Sequence, residues 1–339
     1  MHAASSSLDQ LATFLRVRGW IPPQAALTTR ATLNAGRTVT TLRVTTDAGA
    51  TRVLRQPSPA APPVDRLAPS ATERLAVEGA FYRIVQTWPA VADRMPTCLG
   101  ADRSDHVIAL EDLGTAPTLA DLHGGRRLSR DEVDDLTAYL LALHTIPLSP
   151  ADVLSLRADG LRLARHAERF EHVIAGARVE ALASREPRID RLVDAFRTDV
   201  HIRATMRDLG GRFLEGKGVL LHGDFRPARW MPSPHGLRVL SPGCASTGPA
   251  ALDLGYFLAH LLVSGQPHDV VAGALHRYRR AGPVDVAEVS ACAGLELIRS
   301  RLGPAPVLVP VDPPATRLVA ELEYAIRLLR GGATVELPL

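Results

Sequence analysis

The residue pattern changes character at Asp112, and that change limits the fold more than any other feature of the 339 residues. Upstream, segments 37–46 (RTVTTLRVTT) and 51–56 (TRVLRQ) alternate β-branched with polar residues on either side of Asp47-Ala48-Gly49-Ala50, which predicts a β-hairpin. Residues 8–19 predict an amphipathic helix with Leu8, Leu11, Phe14 and Leu15 on one face. The proline-rich segment 57–70 cannot continue a sheet and predicts a loop. A helix over 72–87 with Thr72 as its N-cap, then strands near 97–101 and 106–111, complete this part. Downstream the spacing is helical, at about 117–123, 130–146, 158–183, 187–211, 250–264, 268–280, 285–302 and 314–330. Strand material returns at 218–222 and 237–240. The expectation is an α+β chain of two lobes, a small β-rich N-lobe over 1–112 and a larger helical C-lobe over 113–339.

Composition narrows the function classes. No apolar run approaches the roughly 20 residues that span a bilayer, and the start (MHAASSS) lacks the basic and apolar stretches of a signal peptide. A cytoplasmic protein without a membrane partner is expected. The net charge of +3 is spread over mixed-sign helical segments without a basic run, which argues against nucleic acid. Three widely spaced cysteines (Cys98, Cys244, Cys292) predict free thiols. Of 39 basic residues only Lys217 is lysine, so phosphate contacts would fall to arginine, a planar fork rather than a point charge.

The chemistry concentrates in His222-Gly223-Asp224-Phe225-Arg226-Pro227-Ala228-Arg229-Trp230. Other stretches keep order with it: Thr32-Leu33-Asn34-Ala35-Gly36, Val53-Leu54-Arg55-Gln56, Arg74 with Glu78, Ala109-Leu110-Glu111-Asp112-Leu113, Ser241-Pro242-Gly243, Gly248 to Gly255, and Ala293 to Ser300. Together they resemble the methylthioribose kinases, within the kinase-like superfamily of aminoglycoside and choline phosphotransferases.

That resemblance implies a two-lobe, protein-kinase-like fold and assigns roles. His222 and Asp224 take the catalytic positions. Asn34, Gly36, Arg55, Glu78, Glu111 and Leu113 take those of a nucleotide site, with ATP the candidate cofactor. Arg299 matches a sugar-contacting arginine, and Arg229 is a candidate for holding substrate phosphate. The departures fall on the same positions. Arg229 stands where the family has a magnesium ligand, Ser241 where it has the second metal-binding aspartate, Gly243 where it has a further carboxylate, and Ser300 where it has a second sugar-contacting arginine. Magnesium needs hard oxygen ligands, so Mg²⁺ is expected to be weak or absent. Losing both ligands costs on the order of 10³-fold in rate or more.

Three readings follow. The leading one is a catalytically impaired pseudokinase that binds a nucleotide, a small ligand or a partner protein or peptide. The second is an active ATP-dependent phosphotransferase acting on a hydroxyl of a small molecule or of a peptide Ser/Thr. The third is a pure scaffold subunit. From spacing alone, Arg229 is expected to fold back onto Asp224 as an internal counter-ion. Asp253, opening an apolar helix, is expected to brace the loop, and His222 reads as a loop-bracing hydrogen bonder rather than an acid–base group.

Overall fold

The computed structural model describes residues 3–35, 38–58, 70–282, 284–303 and 313–335. Gly36 and most of the 57–70 loop lie outside them. The fold is α+β with two lobes, and the chain divides into two compact units. One comprises Met1–Ala116, Leu148–Ala164 and Arg238–Ala245; the other comprises Pro117–Pro147, Arg165–Leu237 and Ser246–Leu339.

The first unit begins with α1 (Leu8–Val17), capped by Ser7, whose hydroxyl accepts from the Gln10 N–H while the Gln10 side chain returns to the Ser7 N–H. The strands β1 (Leu27–Ala35), β2 (Val39–Thr46), β3 (Thr51–Pro57), β4 (Cys98–Asp102) and β5 (Val107–Glu111) form an antiparallel sheet in the order β1-β2-β3-β5-β4. Alternation on β2 puts Leu42 and Val44 inward, where they meet Leu54, Val107, Ala109 and the Leu11, Phe14 and Leu15 face of α1. Strand β1 carries too few apolar residues to announce itself; pairing with β2 from Leu27↔Thr46 to Ala35↔Thr40 defines it. Helix α2 (Ala71–Val85) turns Leu75, Glu78, Phe81 and Val85 inward. Its cap is Ser70 rather than the predicted Thr72, because Ser70 has the non-helical backbone and its hydroxyl accepts the Glu73 N–H. Short helices α3 (Pro89–Ala92) and α5 (Pro150–Ser155) also belong here.

The second unit contains α4 (Arg130–His144), α7 (Gly176–Ala183), α8 (Arg188–Thr198), α9 (Val200–Glu215), α10 (Ala251–Val263), α11 (His268–Ala281), α12 (Val286–Leu302) and α13 (Ala315–Leu329). Strands β6 (Val219–Leu221) and β9 (Ser246–Gly248) pair within it. The chain leaves it through the hairpin of β7 (Trp230–Ser233) and β8 (Gly236–Val239). Two expected long helices are interrupted. The 158–183 segment is α6 (Asp159–His166), then a π-turn over Ala167–Glu171 closed by His172 N–H on the Ala167 carbonyl, then α7. The 187–211 segment breaks at Asp199, whose extended backbone and carboxylate cap α9 by accepting from His201 and Ile202.

Helix α10 is buried on every side, so it forms the centre of this unit. It packs so tightly on α12 that a Cβ at Gly255 would lie 2.6 Å from Cys292 Cβ and 2.7 Å from the Val289 carbonyl oxygen. Gly255→Ala is therefore expected to lose about 1–3 kcal/mol through overpacking. Urea denaturation should show a lower midpoint at unchanged slope; an unchanged midpoint would mean the helices separate freely.

Candidate active site

The 222–224 turn hangs from α10. Asp253, in the first turn of that helix, accepts the backbone N–H groups of His222 (2.6 Å) and Gly223 (3.0 Å), and His144 Nε2 lies 3.5 Å away. Burial opposes ionisation of Asp253, but His144 and the His222 N–H hold its pKa below the usual carboxylate range. Gly223 has φ +76°, a conformation that favours glycine. His222 is fully buried, and its Nδ1 accepts the Asp224 N–H at 3.3 Å. Phe225 stacks parallel on Tyr139 (centroids 5.6 Å apart) and touches Trp230 and Phe257, which pins the loop from below.

Asp224 is closed in by two arginines. Arg226 Nε donates to Oδ1 at 2.9 Å, while Arg229 donates to Oδ2 through Nε (2.8 Å) and Nη2 (2.7 Å). Burial pushes the Asp224 pKa up, but Arg226, Arg229 and Arg165 outweigh it and hold the carboxylate well below the ordinary range. The Gly223 carbonyl accepts from Arg165 (3.2 Å) and from Arg169. Arg165 in turn reaches Glu168 (2.5 Å), Glu168 reaches Arg299 (3.1 Å), and Arg299 is gripped bidentately by Glu296 at 2.7 and 2.8 Å. His260 closes the chain at 3.1 Å from Glu296.

The other unit holds a second cluster. Arg55 on β3 pairs with the buried Glu78 of α2 at 2.8 Å, and its Nη1 donates to Ser241 Oγ at 3.0 Å and Thr41 Oγ1 at 3.3 Å. Ser241 sits at φ +59°, in the left-handed region that few non-glycine residues enter. A Cβ at Gly243 would approach Glu78 Oε2 to 3.2 Å, so a carboxylate side chain there would crowd one already present. Arg74 donates to Cys244 Sγ at 3.0 Å.

Sequence comparison decides the family. Residues 29–289 match the phosphotransferase enzyme family, APH. The chain belongs to this family. The methylthioribose kinase of Bacillus cereus is 33% identical over 79 residues, 23% of this chain and 20% of that enzyme, and that of Bacillus thuringiensis is 30% identical over the same length. The chain thus aligns with about a fifth of the length of these curated relatives. Among solved structures, the choline kinase LicA from Streptococcus pneumoniae has a TM-score of 0.52 at 13% identity, covering 95% of this chain and 99% of that one. The GDP and kanamycin complex of an APH(2")-type enzyme has a TM-score of 0.50 at 13% identity, covering 93% and 98%. At such identities these structures share the fold.

The positions that would ligate magnesium present a guanidinium at 229 and a hydroxyl at 241, the latter already accepting from Arg55. A guanidinium offers no lone pair to a metal, so Arg229 is no substitute for an oxygen ligand to Mg²⁺.

The expected site residues fall into two groups. Arg55, Glu78 and Ser241 come together in one unit; His222, Asp224 and Arg229 come together in the other. Glu111 turns its carboxylate to the Thr97 N–H and hydroxyl, at 3.0 and 2.8 Å. Asn34 is exposed near the end of β1, and Leu113 follows β5 half-buried. Arg299 is 4% exposed and linked to the turn through Glu168 and Arg165. Sequence reasoning did not single out Arg226, Arg165, Arg169 or Glu168. A signal for the middle pair existed: arginines four apart repel on one helix face unless acceptors meet them.

Proposed function

We propose that this chain is a phosphotransferase homologue that binds an anionic small molecule, with a nucleotide such as ATP the first candidate, and transfers no phosphate. The double clamp on Asp224 carries this reading. A general base or hydroxyl-positioning carboxylate must present a lone pair to the acceptor, whereas here Arg226 holds one oxygen and Arg229 the other. Abstracting a proton would also oppose the charges that keep Asp224 ionised. Arg55 on Ser241 supports the same conclusion, because a cation reaches the position from which the family binds its metal. The Arg55–Glu78 pair, which in kinases orients a phosphate-binding cation, favours retained nucleotide contacts.

The test compares wild type with Asp224→Ala in the presence of ATP and Mg²⁺, following phosphate release and transfer to a panel of hydroxyl compounds. Both proteins are expected to stay at the buffer background. Turnover by wild type that disappears in Asp224→Ala would overturn the reading in favour of an active phosphotransferase on a small-molecule or peptide hydroxyl.

A further inference from the structure

Five guanidinium groups gather at the 222–224 turn: Arg226 and Arg229 on Asp224, Arg165 and Arg169 on the Gly223 carbonyl, and Arg299 through Glu168. Three carboxylates pair with them, Asp224, Glu168 and Glu296, while a fourth, Asp253, serves the backbone N–H groups of His222 and Gly223. The turn therefore carries an excess of positive charge in a largely buried setting, where each charge acts more strongly than in water. Arg165, Arg169 and Arg299 are 6%, 2% and 4% exposed, and the Nε of Arg169 has no hydrogen-bond partner among the described residues. Arg226 and Arg229 keep 15% and 27% of their side-chain surface open to solvent. Each spends only part of its fork on Asp224. Arg226 meets Asp224 through Nε, and Arg229 meets it through Nε with Nη2 2.7 Å from Oδ2.

We propose that Arg226 and Arg229 bind a phosphate group, the dianion of a phosphate monoester or the terminal phosphate of a nucleotide. Asp224 is the internal carboxylate that holds the two forks in place, one on each oxygen. Two partly exposed planar forks match phosphate oxygens geometrically, and Arg165 and Arg169 behind the turn reinforce the attraction. This rests on the reading that Asp224 performs no base catalysis, since a base would have to leave the clamp. The site thereby selects ligands that already carry a phosphate over those offering a bare hydroxyl.

The experiment is calorimetric titration of the full chain with inorganic phosphate at fixed ionic strength. Wild type is expected to bind, and the double variant R226Q/R229Q to weaken binding by roughly tenfold or more, given the strength of charge-assisted hydrogen bonds. R226K/R229K keeps charge without the fork and should fall between wild type and R226Q/R229Q. Thermal midpoints measured without phosphate establish that each variant is folded. Displacement of phosphate by ATP but not adenosine identifies the nucleotide as source; displacement by glucose 6-phosphate identifies a phosphorylated small molecule, and either result supports the site. Unchanged affinity in folded R226Q/R229Q, or an adventitious ion only, displaced by neither compound, overturns it. Failure of the functional reading registers separately, as ATP turnover by wild type.

Discussion

Arg229→Asn combined with Ser241→Asp is expected to make nucleotide binding depend on Mg²⁺, with affinity at least about tenfold higher in Mg²⁺ than in chelator. Arg229→Asn releases Asp224 Oδ2 and supplies an oxygen at the first of the two positions where the family resemblance implies a metal ligand. Ser241→Asp supplies a carboxylate at the other, and the backbone at 241, with φ +59°, suits aspartate better than most residues. A metal clamped between protein and phosphates contributes several kcal/mol, and each 1.4 kcal/mol is tenfold in affinity. Either change alone should give little, since one carboxylate faced by an arginine is a poor magnesium site. Calorimetry in Mg²⁺ and in chelator reads the effect. A double variant as indifferent to Mg²⁺ as wild type would mean that these two positions are not what removed the metal.

Glu296→Gln is expected to have the largest effect on stability. Burial opposes ionisation of Glu296, but Arg299 and His260 outweigh it and hold the carboxyl at about 2. An unfolded glutamate titrates near 4.3. The folded value is depressed, so this stabilisation is complete above the unfolded pKa and is lost as pH falls from there toward 2. It amounts to on the order of 3 kcal/mol. Removing the charge also leaves Arg299, 4% exposed, with Glu168 as its remaining counter-ion. Loss of one partner from a buried ion pair costs about 3–5 kcal/mol. Urea denaturation between pH 7 and pH 3 should show a lower midpoint for the variant at neutral pH and a flatter acid limb. Parallel curves for the two proteins would contradict the assignment of Glu296 to this network.

What the sequence disclosed follows from how local each signal is. The β2–β3 hairpin was legible because alternation and the Asp47-Ala48-Gly49 turn lie within one short stretch, and the exposed–buried pattern of β2 repeats it residue by residue. Strand β1 was not legible: LTTRATLNA has little apolar content, and its identity comes from β2 beside it. The π-turn after α6 was hidden because apolar spacing continues through it, and the carbonyl that Arg165 and Arg169 meet there lies 58 and 54 residues away in sequence. The Asp224–Arg229 contact could be anticipated from a separation of five residues on one loop. Arg226 sits closer in sequence, yet its direction depends on the turn that Pro227 opens, a matter of backbone geometry that composition does not encode. Asp253 was foreseeable as a loop brace, since a carboxylate opening an apolar helix needs donors and the preceding turn supplies them.

Nucleotide-induced stabilisation measured with and without Mg²⁺ tests most directly whether arginine charge has replaced the metal and base of the family. ATP at 100 times its dissociation constant should add about 2.7 kcal/mol to the unfolding free energy. Nearly the same gain is expected in Mg²⁺ and in chelator, because Arg229 offers a divalent ion no lone pair and Ser241 no carboxylate. Stabilisation that appears only with Mg²⁺ would contradict it.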